Sequence, residues 1–565
     1  MNAILVALLA LPQQKTPDRK LQGAAEKCGS EIPWTTSIEE ARRQAKASGK
    51  PVAWWVPTLE GSPMDRKLVV EKYMLAGPFM MPGVVELLRD RFVPLRLDGR
   101  PEHRKEFGVA PMEFIEPGFV FLAPGGQVLH KVDRISTFSE DWFVRLFEGV
   151  LRKAGGAVEP RRPALDATPL ARARKALAEG KPDPDLFAVQ GGDEARYLQG
   201  VALHLVGRDE EGREEWRKVK GTRWEWKAAA ELARDGPFVR GFEVYGALPA
   251  DALGDLPANT TVPRKAADVR RAVRFLLQTQ RGSGVWDDSH YHFGGDDSLP
   301  NVYMAVTALA ALALREAGET AEVKVALARA ESYLKKEEKI AADDTDEIVW
   351  AHAYRLLYFA RVGDRDLMAR LVKKLADLQE KSGVWSHEYD NPFVTATVLH
   401  ALAEAKKAGA EVPEGVARRG AAALKSTRDA KGVFSYDFPG RGADVRGAAG
   451  RMPFCEFALF LWGQSAADKA KASLEESFKH HDILERVRKY DDHADAFQNG
   501  GFFFWYDQFG RALAGRAAGD GAALARQKEI VLATQEIDGC WVDSHELGRV
   551  YGTAMALLTL KLCEK

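Results

Sequence analysis

Beyond residue 266 one helical hairpin recurs six times, and this repetition constrains the fold more than any other property of the chain. Apolar, helix-compatible segments begin at Val302, Ile348, Phe393, Pro453, Phe502 and Val550, in steps of 46, 45, 60, 49 and 48 residues. More polar helical stretches precede most of them, beginning near Ala267, Asp366 and Ala522. The long step carries a Gly- and Arg-rich insertion that runs from Pro439 to Arg451. A single hairpin cannot bury its apolar face alone, so the copies must stack on one another.

A second marker keeps the same beat. Gly284-Val285-Trp286, Gly383-Val384-Trp385, Gly432-Val433-Phe434 and Gly539-Cys540-Trp541 have aromatic positions 99, 49 and 107 residues apart, so two copies lack it. Glycine lets the chain leave a helix through a positive φ, and the aromatic ring then fills the gap against the neighbouring hairpin. With both markers, residues 266–565 resemble the prenyltransferase and squalene-oxidase repeats of terpenoid cyclases and protein prenyltransferase β-subunits. The resemblance implies an all-α domain, an α6–α6 toroid in which six outer and six inner helices close around a central cavity.

In the resembling enzymes active residues sit where inner helices begin, and a helix N-terminus favours anions and carboxylates. The matching loops hold Asp287–Asp297, Asp343–Asp346, Ser386–Asp390 and Val542–Glu546. The candidate binding residues there are Asp296, Asp297, His387, Asp390, His545 and Glu546. His352, Glu456 and Tyr506, within inner segments, and Arg451, on the insertion, complete the set; satisfied core groups or ring-sealing contacts are the competing account of these four. Class II terpene cyclases protonate an alkene with D-x-D-D, and Ala341-Ala342-Asp343-Asp344-Thr345 keeps its last two positions but not its first aspartate. Asp343 and Asp344 are therefore the candidate catalytic acids, with a helix cap and solvated face as the alternative. Asp538-Gly539-Cys540 imitates the D-x-C zinc ligands of protein prenyltransferases without their later histidine, so no metal and no cofactor is assigned. Asp288-Ser289-His290 and Asp543-Ser544-His545 recur at one place in two repeats, read as capping turns ahead of a ligand or base role.

Residues 36–155 alternate helix and strand. "GKPVAWWV", "RFVPLRLDG" and "EPGFVFLAPGGQVL" resemble the thioredoxin-like fold, but where that family carries C-x-x-C this chain reads Pro57–Met64 with no cysteine. Disulfide exchange needs a low-pKa thiol at that point, so the module is expected to pack or bind rather than to act as a redox centre. Pro117 falls where the family keeps a cis-proline. Residues 165–250 read as amphipathic helices, and "YLQGVALHLVGRDEEGREEWRKV" resembles one tetratricopeptide (TPR-like) hairpin. Leu248–Pro263 reads as a linker, with a glycosylation sequon at Asn259.

Ala3–Leu11 is an apolar run of nine, the h-region of a signal peptide over residues 1–14, with 15–35 as an N-terminal extension. That reading makes the protein secreted or periplasmic, and otherwise cytoplasmic with a buried first segment. No later stretch reaches the ~20 apolar residues of a transmembrane helix. Lys+Arg 80 against Asp+Glu 81 argues against nucleic acid as a partner. The expectation is a multidomain protein whose toroid binds a small molecule or partner protein without catalysis. The alternatives are a terpenoid cyclase- or prenyltransferase-like enzyme and a carbohydrate-active toroid with two facing carboxylates.

Overall fold

The computed structural model describes residues 21–62, 67–156, 168–178, 181–233, 256–289, 299–440, 442–490, 495–497, 499, 502–544 and 547–564. It is a mostly helical, multidomain chain with one small four-stranded mixed sheet. The strands are β1 (Val52–Val56), β2 (Val93–Arg96), β3 (Gly118–Leu122) and β4 (Val128–Val132), in the order β2-β1-β3-β4. β1 pairs parallel with β2 and antiparallel with β3, and β3 pairs antiparallel with β4. Side chains alternate across a strand, so Trp54 and Trp55 of β1 enter two different cores, one with Val120 and Leu122, the other with Phe119 and Phe121. Helices Ile38–Ser48, Pro82–Arg91 and Glu140–Lys153 flank the sheet. Ser37 caps the first by accepting from Glu40 N, as its sequence pattern implies. Glu116–Pro117 is cis.

Helices Pro169–Ala178, Pro184–Ala188, Gly192–Leu205, Asp209–Lys218 and Arg223–Leu232 form the connector. Trp216 fills its core and donates from Nε1 to the Tyr197 carbonyl at 2.9 Å. At the Gly207 turn (φ 84°) a Cβ would lie 2.5 Å from Gly282 Cα, so the glycine permits the close approach of connector and repeats. The supposed linker is not loose at its described end. Thr260 is fully buried between the sheet unit and the repeats, and Asn259 Oδ1 accepts from Thr261 N at 2.9 Å. A buried backbone of this kind is poorly suited to a glycan.

Six helices form a closed cycle. Leu299–Ala317 packs on Ile348–Val362, then follow Pro392–Lys407, Met452–Leu461, Phe502–Ala518 and Gly548–Glu564, which returns to Leu299–Ala317. Around them lie Val269–Thr279, Ala321–Leu334, Arg365–Asp377, Glu414–Ser426, Ala467–Lys479 and Gly521–Leu532. The region is not wholly helical, because Ser386–His387 and Tyr389–Asp390 pair as a short hairpin around Glu388, whose φ is 59°.

The marker explains how each pair is tied. Trp286, Trp385 and Trp541 donate from Nε1 to Leu276, Leu375 and Val531 O, at 2.8, 2.7 and 2.8 Å, near the end of the preceding outer helix. Their backbone N–H groups donate to Thr307, Thr395 and Thr553 of the next inner helix. Gln280, Gln379 and Gln535 bridge each marker glycine carbonyl to the adjoining outer helix or its cap. In the two repeats without the marker, a buried arginine of the inner helix performs the same task. Arg355 donates from Nε to Leu334 O, and Arg511 from Nη2 to Ser477 O, both at 2.9 Å. The Phe434 side chain has no N–H, and Thr427 Oγ1 supplies the bond to Leu424 O at 2.7 Å. All six outer helices thus have a carbonyl near their ends satisfied, as buried acceptors require.

Candidate functional site at the mouth of the ring

The loops that enter the inner helices lie at one end of the ring, and the residue two places after three of the four marker aromatics reaches the start of the preceding inner helix. Asp288 accepts from Arg549 N and Val550 N at 2.9 and 3.1 Å. His387 lies 3.3 Å from the Asp346 carbonyl and 3.2 Å from Glu347 Oε1. Tyr436 packs on Phe393, with ring centroids 5.5 Å apart. The Asp-Ser-His recurrence is therefore a helix-capping device at Asp288. Burial pushes the Asp288 carboxyl up to about 6, against the two N–H donors that lower it.

Asp343 is exposed and Asp344 is buried. Asp344 Oδ2 accepts from Asn301 Nδ2 at 2.7 Å, and Oδ1 accepts from Asp346 N and Glu347 N at 3.1 and 3.3 Å. Asn301 also holds both backbone groups of Ala341. Asp344 thus fixes the turn that enters its helix, and burial raises its carboxyl above the usual carboxylate range. Among the described residues His387 is the histidine of this rim: burial works against its charged form, but Glu347 overcomes it and holds the imidazole at about 9. Asp390 sits three residues on and accepts from Ser386 and Ser382.

The other candidates turn elsewhere. Arg451 donates to the carbonyls of Ser435, Gly447 and Phe434 at 2.9, 2.7 and 3.0 Å, so it seals the insertion rather than reaching for a ligand. Glu456 pairs with Arg428 and Ser465, which border outer helices. His352 is buried one turn from Arg355 on the same inner helix, and burial together with the charges of Arg355 and Lys374 pulls it down to about 3. Tyr506 does point inward; its hydroxyl donates to Phe393 O at 2.8 Å and its ring stacks on Phe454 at 4.6 Å. Asp296, Asp297, His545 and Glu546 lie outside the described residues.

Sequence reasoning missed Glu347, Trp350, Asn301 and Tyr436. Trp350 stacks on Tyr354 and Phe393, and Phe393 meets Phe503 and Tyr436, so aromatic rings line the mouth and the interior below it. The fixed offset from the marker aromatic, applied to His387 and Tyr436, is the signal that could have found this contact.

Asp538 and Cys540 do not fit zinc. Arg549 donates to Asp538 Oδ2 at 2.7 Å and to Cys540 Sγ at 3.2 Å, and Thr137 takes Oδ1. A guanidinium thus occupies the place of a metal cation, and burial pushes the thiol up to about 12, away from the thiolate that zinc needs.

No family model matches the chain, and no curated protein matches it. Among solved structures it is similar to the apo form of the type II terpene cyclase MstE from Scytonema, at 16% identity over 52% of this chain and 96% of that one, with a TM-score of 0.32. A complex of that cyclase with geranylgeranyl dihydroxybenzoate gives 16% identity, 52% and 95% coverage and a TM-score of 0.34. A protein from Actinoplanes gives 17%, 54%, 100% and 0.25. No helix among the described residues is long and apolar enough to cross a membrane.

Proposed function

We propose that the chain is an exported binding protein whose α6–α6 toroid, residues 266–565, holds a small molecule or partner protein at its mouth without transforming it. In this reading 1–14 is a signal peptide, 15–35 an extension, 36–155 a thioredoxin-like module lacking redox cysteines and 165–250 a TPR-like connector. The closed cycle of six helices supports the toroid, and the order β2-β1-β3-β4 supports the module. The observation that carries the non-catalytic reading is the employment of the acids. Asp344 and Asp288 cap helices, Glu347 pairs with His387, and Glu456 pairs with Arg428.

Native mass spectrometry of protein purified from its own host tests this reading. A co-purifying mass that is returned chemically unchanged is expected, and a turned-over product overturns it. One observation favours a second reading, an isoprenoid cyclase-like enzyme. Asp344 is a buried carboxyl with a raised pKa, as an alkene-protonating acid requires, and aromatic faces such as Trp350 and Phe393 stabilise cations. Incubation with a geranylgeranyl-bearing aromatic acid would then yield a cyclised isomer, and Asp344→Asn would abolish it.

A further inference from the structure

The two repeats that replace the marker tryptophan with a buried arginine differ in one respect. In the fifth repeat Arg511 is satisfied on every side: by Asp507 Oδ2 at 2.6 Å, by Ser477 Oγ and O at 2.7 and 2.9 Å, and by His481 Nδ1 at 3.3 Å. Asp507 stands four residues before Arg511, one turn along the same helix face. In the second repeat Arg355 is equally buried, at 0% exposure, and binds Leu334 O and Glu337 Oε1 at 2.9 and 2.6 Å. Among the described residues its Nη1 has no hydrogen-bond partner, and neither has Nδ1 of His352, which is 2% exposed on the same helix, nor Oε2 of Glu337. The residue four before Arg355 is Ala351, so this repeat lacks the carboxylate that the fifth one supplies from its own helix.

Charge points the same way. Glu337 is shared between Arg355 at 2.6 Å and Lys374 at 3.2 Å, so two cations meet one described carboxylate. A guanidinium cannot lose its proton to relieve this, and a buried charged donor left unbonded is costly. A water would satisfy the hydrogen bonds but not the surplus charge. The side chains of Glu337 and Lys374 are 38% and 41% exposed, so the spot lies close to solvent.

We propose that Arg355, His352 and Lys374 form a binding site for a small monovalent anion, a halide or a carboxylate group, which plays in the second repeat the part of Asp507 in the fifth. The anion accepts from Arg355 Nη1 and from His352 in its Nδ1–H tautomer, while Glu337 keeps Nη2. The neutral imidazole expected from its low pKa can supply that donor, and an anion beside it raises that pKa.

The test is calorimetry of the full chain in sodium chloride and, separately, sodium formate, exchanged against sodium gluconate at constant ionic strength. Gluconate is too bulky for the spot and reports general salt effects. A saturable rise in Tm of about 1–3 °C is expected in one or both small anions, with an upfield-to-downfield movement of the His352 imidazole resonances over the same concentrations. A response in chloride alone assigns a halide, and one in formate assigns the carboxylate. Ala351→Asp should raise Tm in gluconate and erase the anion response, and His352→Phe should weaken that response by tenfold or more in midpoint. Identical melting in all three salts overturns the proposal, and so does an anion response that survives in both variants.

Discussion

The hydroxyl of Tyr506 donates to the backbone carbonyl of Phe393 at 2.8 Å and lies 3.1 Å from Thr397 Oγ1, joining the fifth inner helix to the third past the fourth. Non-neighbouring helices of a ring can touch only where side chains cross its interior, so this bond braces the ring from within. Tyr506→Phe should cost about 1 kcal/mol, because Thr397 Oγ1 still donates to the same carbonyl. Urea denaturation checks this, with an unchanged m-value as the companion expectation.

Trp385→Phe keeps the ring but removes the N–H that satisfies Leu375 O. A buried carbonyl stripped of its partner costs roughly 1–3 kcal/mol. The same substitution at Trp286 and Trp541 should give losses of similar size, since the three indoles make one contact three times. Thermal melts of the three variants would sink the equivalence if one were neutral.

Glu536 is fully buried where the sheet unit meets the repeats. It pairs with Lys489 at 2.7 Å and Arg488 at 3.5 Å, and also takes Ser136 and Thr260 hydroxyls. Burial alone would raise its carboxyl, but Lys489 and Arg488 hold it at about 2. Glu536→Ala takes the carboxylate from buried Lys489 and leaves Arg488 with Glu485 alone, and should destabilise by about 3–5 kcal/mol. Scanning calorimetry is expected to show one transition for the wild-type chain and a separate earlier melting of the sheet unit in the variant.

The His387–Glu347 pair gives a pH dependence of defined sign. The folded imidazole titrates at about 9, above its ordinary 6.5. Its contribution is therefore complete below pH 6.5 and is lost as pH rises through 9. His387→Gln should lower Tm at pH 6 and leave it nearly unchanged at pH 9.5, so the two melting curves converge on the alkaline side.

Gly383 combines φ 96° with a neighbour, Arg419 O, that would lie 2.8 Å from an added Cβ. Gly383→Ala should exceed 1 kcal/mol through backbone strain and displacement together. Gly432, with φ 86° and open space around it, should lose less for the same change. Paired denaturation curves separate the two causes.

The repeats were legible because apolar segments and the Gly-x-Trp marker report burial, and burial follows from residue type. The sheet was legible for the same reason, through runs such as Val52–Val56. Side-chain direction was not. Glu456 sits on an inner helix as read, yet it turns to Arg428 and Ser465 beside the outer helices, and a periodic pattern alone does not fix which polar residue faces which side. Arg451 was legible as a strong donor, but its acceptors are carbonyls of Phe434 and Ser435 that composition cannot announce. Arg355 and Arg511 stayed hidden because, from an inner helix, they replace an indole that elsewhere lies in a loop, so no local spacing marks them.

Ring closure also sets an order on synthesis. Gly539 lies against Arg271, and the sheet unit rests on Lys489, Tyr490 and Glu536, so partners on both contacts are far apart in the chain. At about 5–20 residues per second, a ribosome needs roughly 20–80 s between Pro117 and Asp538. Through that interval the sheet unit has emerged while the surface that covers Ile115 and Ser136 does not yet exist. The nascent protein must hold a finished first module with an apolar flank still waiting for its cover, a stage at which a chaperone has something definite to protect.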